Sequence, residues 1–80
     1  MTYEVKLIYR PTDTTSMVIS RASGIYLDDA VAEMLDDIRD FFYNQDPKSY
    51  VDDLVVASAK ESVVHHTPVQ YWIEKFGWSF

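Results

Sequence analysis

Leu27, Val31, Met34, Leu35, Ile38, Phe41 and Phe42 recur at i, i+4, i+7, i+8, i+11, i+14 and i+15. On a helix of 3.6 residues per turn these positions share a stripe about 120° wide, the pattern of a helix lying on a core. Asp28 and Asp29 in its first turn complement the positive end of the helix dipole, and Asn44 to Pro47 supplies a stop. The spacing predicts one amphipathic helix over about residues 27–43. It is the clearest element in the chain.

The side of the wheel opposite that stripe is acidic. Asp29, Glu33, Asp36, Asp37 and Asp40 fall there, with Arg39 displaced toward one edge. Residues 28–53 hold nine of the thirteen acids against Arg39 and Lys48, a segment charge of −7; the remaining four acids and five bases give +1, and the whole chain is −6. From residue 29 to residue 40 is eleven steps of about 1.5 Å, so five carboxylates share about 16.5 Å, one per roughly 3.3 Å. One strand of DNA carries a charge every 3.4 Å or so. Nine of the acids are Asp and four Glu, although Glu is the better helix former. Like charges at i, i+4 forgo about 1 kcal/mol over Asp29/Glu33, Glu33/Asp37 and Asp36/Asp40. A field of this sign attracts cations and basic protein surfaces and repels nucleic acid and anionic membrane.

The rest of the chain supplies a sheet. Tyr3, Val5, Leu7 and Tyr9 alternate with Glu4, Lys6 and Arg10, the period of a strand with one buried face. After Pro11-Thr12-Asp13-Thr14, residues 16–22 resume with Met17, Val18 and Ile19, which completes a hairpin. Leu54 to Ala57 and Val63-Val64 flank the polar residues 58–62 and read as a second hairpin, with a helical stripe of Val51, Leu54, Val55 and Ala59 as the alternative. Thr67-Pro68-Val69-Gln70 reads as a helix start, Thr67 as N-cap and Gln70 completing a capping box, and Gly77 as its stop. The expected fold is a single α+β domain over residues 1–80 in the order β-β-α-β-β-α, helices packed on an antiparallel sheet. Eighty residues with 48% apolar content support one small core, and without cysteine only packing holds it together. No apolar run approaches a signal or membrane segment, so the chain is expected to be soluble and cytoplasmic.

Chemistry is sparse. Asp36-Asp37 and Asp52-Asp53 are sequence neighbours that diverge on a helix or strand, and there is no G-x-S-x-G, phosphate-binding glycine loop or Cys/His pair, so a non-enzyme is expected. His65 and His66 are the only histidines. Together with the carboxylates they are the candidates for zinc or another divalent ion, but adjacent strand residues point to opposite faces; the first expectation is no cofactor. Two tryptophans, two phenylalanines and a tyrosine crowd the last ten residues. Trp72, Ile73 and Phe76 have helical spacing and close the core, whereas Trp78 and Phe80, beyond the glycine, are a strap or an exposed anchor for a partner or a second copy.

In size, charge and fold style the chain resembles the small, acidic, cysteine-free phage proteins that block bacterial defence, the anti-CRISPR and anti-restriction proteins. That resemblance implies a host nuclease complex as target, in the host cytoplasm, with inhibition by occupation of a basic nucleic-acid-binding groove and no direct binding of nucleic acid. The expected contact set is Asp29, Glu33, Asp36, Asp37 and Asp40, with Asp46, Asp52, Asp53, Trp78 and Phe80 around it. A hairpin followed by YLDDAVAEMLDDIRDFF also looks like the HicB-type antitoxin domain, whose implied partner is a toxin with RNase activity. The Pro-Leu-Pro-Gly-like strand that precedes the helix in that family is missing here.

Overall fold

A computed structural model describes residues 2–44 and 50–78. The α+β order is as expected: strands β1 (Tyr3–Thr12) and β2 (Thr15–Gly24), helices α1 (Leu27–Asp37) and α2 (Arg39–Asn44), a 3-10 turn (Val51–Asp53), strands β3 (Leu54–Lys60) and β4 (Val63–Pro68), and helix α3 (Val69–Phe76). The strands form one antiparallel sheet in the order β2-β1-β3-β4. The first hairpin passes directly into α1 through Ile25 and Tyr26, without a third strand before the helix.

Alternation decides which side of the sheet the helices take. Val5 and Leu7 of β1 and Leu54 and Val56 of β3 are buried on one face, in one cluster with Ala30, Val31, Met34 and Leu35 of α1 and Val69, Trp72 and Ile73 of α3. Register sets Leu7 opposite Val56 and Val5 opposite Ser58, which puts Ser58, 5% exposed, beneath the helices as well. β2 contributes less. An extra residue, Ile19, interrupts its register between Leu7↔Ser20 and Ile8↔Val18. Beyond that bulge Met17, Val18 and Ile19 are exposed, Met17 by 61%. Among the described residues the apolar outer half of β2 is therefore a surface.

The helix expected over residues 27–43 is broken. α1 ends at Asp37, Ile38 leaves the helical region at φ −113° and ψ 10°, and α2 begins at Arg39. The last turn of α1 holds Asp36 and Asp37 and no base, so carboxylates meet the negative end of the dipole where cations are favoured. The Ile38 amide instead donates to the Leu35 carbonyl at 3.2 Å, a tightened final turn.

Residues 54–68 form the second hairpin, and helical character is confined to the 3-10 turn before it. Glu61 turns the hairpin at φ 60°, a left-handed position with no glycine to fill it. The capping box at Thr67 does not form. Thr67 belongs to β4, Pro68 occupies the N-cap without a side-chain hydrogen bond, and Gln70 Nε2 donates to Glu74 Oε1 at 3.3 Å. Thr67 stays in the strand because it pairs with Val56, which delays the helix by one residue.

α3 ends in a Schellman motif. The Gly77 amide donates to the Glu74 carbonyl at 3.1 Å and the Trp78 amide to the Ile73 carbonyl at 3.0 Å, with Gly77 at φ 74°. A Cβ on Gly77 would meet nothing within 4 Å, so the conformation alone demands glycine. Gly77→Ala is expected to lower stability by about 1 to 2 kcal/mol, the left-handed penalty for an L residue, measured as a shift in urea midpoint at unchanged slope.

Candidate functional site

α1 presents two unlike sides. Ala30, Val31, Met34 and Leu35 are seated on the sheet with at most 1% exposure, and Asp29, Glu33, Asp36 and Asp37 stand exposed on the solvent side. The break at Ile38 changes the geometry expected from the wheel. Four carboxylates, rather than five, lie on one rigid helix, and Asp40 is carried on α2. The even spacing of about 3.3 Å over residues 29–40 therefore does not run along one straight rod. Asp52 is exposed and Asp53 half-buried on the 3-10 turn; Asp46 and Phe80 lie outside the described residues.

Two bases border the row. Arg39 approaches Asp36 at 4.0 Å, an exposed i, i+3 pair of little energetic weight, and its guanidinium lies 5.0 Å from the Trp78 ring centroid. At the opposite end Lys75 of α3 contacts both carboxylate oxygens of Asp28, at 3.3 and 3.2 Å. That side-chain hydrogen bond raises the Lys75 ammonium above its ordinary value of 10.5, against an opposing desolvation effect. Asp28 is thus a tie between helices, and Asp29, Glu33, Asp36 and Asp37 face outward, Asp36 with Arg39 at its side.

Trp78 is half-buried rather than free. It packs against the core, its ring 6.4 Å from Phe76, which is 5.8 Å from Trp72. The strap reading fits this placement.

The histidines diverge. His65 pairs with Ser58 and lines a groove on the helix side, while His66 pairs with Ala57 and lines a depression on the open side of the sheet. One ion bound by both imidazoles does not fit this strand. Among the described residues no group of three His, Asp or Glu side chains is placed to hold a metal.

The helix-side groove, about 640 Å³, lies between the start of α1, α3 and the β3–β4 hairpin. Its lysines are already engaged. Lys75 holds Asp28 and lies 5.2 Å from the Trp72 ring centroid, and Lys60 lies 4.8 Å from that of Tyr3. The Trp72 indole N–H, in a side chain 3% exposed, has no hydrogen-bond partner among the described residues.

The sequence reading missed the opposite face of the sheet. Lys6 and Arg21 sit directly across from each other there, both exposed and in a depression of about 380 Å³ with Glu4 and Ser23. Alternation in β1 signals the orientation of Lys6, but which residue of β2 lies opposite it needs the register, in which a shift between Tyr9 and Thr12 is offset by the extra residue Ile19. Among the described residues no helix is long and apolar enough to cross a membrane. Comparison with protein-family models, curated proteins and solved structures finds no match for this chain.

Proposed function

We propose that this chain is a non-catalytic binding protein that inhibits a nuclease complex by laying its acidic helix against the basic surface that receives nucleic acid. One observation carries the reading: Asp29, Glu33, Asp36 and Asp37 are displayed on the outer side of a helix whose inner side is completely seated. A charged row fixed on a packed helix loses little further entropy on binding, unlike the same charges on a loop. Facing a desolvated Arg/Lys surface, it would speed encounter and give strong salt dependence.

The test is competition with DNA for candidate nucleases. Asp36→Asn with Asp37→Asn is expected to weaken competition at least tenfold, about 1.4 kcal/mol, and to reduce its salt dependence. Unchanged competition by this variant would exclude the α1 surface. The substitutions remove carboxylates from the negative end of α1, so folding is expected to hold or to gain about 0.3 to 1 kcal/mol. A loss of competition is then a loss of contact and not of structure.

A further inference from the structure

The sheet separates charge by face. On the helix side the exposed row of α1 is acidic; on the open side Lys6 and Arg21 form a cross-strand pair of like charges. Two cations directly opposite each other in an antiparallel ladder repel, so the pair weakens the sheet it belongs to. Neither has an ion-pair partner among the described residues. Beside them the same face is apolar: Ile8 pairs with both Val18 and Val55, and Val64, 53% exposed, continues the surface on β4. A cation pair without a carboxylate partner suits an acidic surface.

We infer that this open sheet face is a docking surface for the acidic α1 face of a second copy of the chain, in a head-to-tail contact. The inference rests on the reading of α1 as a contact surface. Charge complementarity selects the occupant: the exposed α1 carboxylates meet Lys6 and Arg21, and each copy carries one of each surface on opposite sides of the same sheet. Glu4 is the one acid among the described residues lining the depression at Lys6 and Arg21, so the open face offers these cations little anionic complement of its own, whereas the α1 face offers several carboxylates. A helix of eleven residues spans about 16 Å, so the contact is small and transient. Each copy carries −6 overall, which opposes encounter at low salt. At 0.15 M, with a screening length of about 8 Å, the local attraction is felt more than the net repulsion.

The experiment is sedimentation velocity at 0.15 M salt over a concentration series of the full chain. Two variants are used: a sheet variant, Lys6→Gln with Arg21→Gln, and a helix variant, Asp36→Asn with Asp37→Asn. The wild type is expected to gain mass with concentration and each variant alone to associate at least tenfold more weakly. Mixed together, they are expected to form a 1:1 heterodimer and nothing larger, because only the helix of one and the sheet of the other remain intact. The sheet variant is expected to melt no lower than wild type, since a repulsive pair has been removed. A wild type that stays monomeric to about 1 mM overturns the inference, as does association that survives the sheet variant. Oligonucleotide binding that is lost in the sheet variant, without self-association in the wild type, also overturns it and gives the face to nucleic acid. The sheet variant keeps α1 whole, so its competition with DNA for a nuclease reports separately on the proposed function.

Discussion

Leu7→Ala is expected to destabilise the domain by about 3 to 5 kcal/mol and to leave much of the chain unfolded at 37 °C. Leu7 is fully buried on the central strand β1, between Ser20 of β2 and Val56 of β3, and belongs to the same core as α1 and α3. Its removal leaves a cavity where three strands and two helices meet, and none of these elements can close it without breaking register. A domain of 80 residues has roughly 4 to 12 kcal/mol of total stability and no disulfide to fall back on. Urea unfolding followed by circular dichroism measures the effect. A loss below about 1 kcal/mol would mean that the core is centred elsewhere.

Trp78→Ala is expected to cost about 2 kcal/mol of stability. The substitution removes the apolar contact that accompanies the Schellman turn, the packing on Phe76 and a cation–π contact with Arg39 worth about 0.5 to 1 kcal/mol. Because Arg39 also reaches Asp36, the strap links the chain end to the junction between α1 and α2. Thermal melting of the isolated protein distinguishes this from a partner anchor: a strap lowers the melting temperature, whereas an anchor leaves it unchanged and affects only binding.

Much of the fold was legible because its signals are local. Alternation at Tyr3 to Tyr9 oriented β1, the stripe from Leu27 marked α1, and Gly77 after Phe76 marked the end of α3. Where the reading failed, the deciding contact was remote or no local signal marked the outcome. Thr67 and Gln70 spell a capping box, yet Thr67 is held in β4 by pairing with Val56 across the hairpin. The apolar stripe runs through Ile38, yet the helix breaks there, at φ −113° and ψ 10°, and no local signal in the sequence marks the break. Ala30 escaped notice as a core residue because a methyl group contributes little to a pattern; it is buried, 1% exposed, where α1 packs close to Gly24 at the end of β2.

The candidate surfaces divide along the same line. Sequence by itself determined that the acids lie opposite an apolar stripe, since helical periodicity needs only neighbours within a few turns. It also determined that His65 and His66 diverge if they lie on a strand. Tertiary structure decided which charges remain outward, by tying Asp28 to Lys75 across 47 residues and bringing Arg39 between Asp36 and Trp78. It alone set Lys6 against Arg21, because strand pairing fixes which side chains become neighbours, and here a shift between Tyr9 and Thr12 is cancelled by the extra residue Ile19 before the two cations meet.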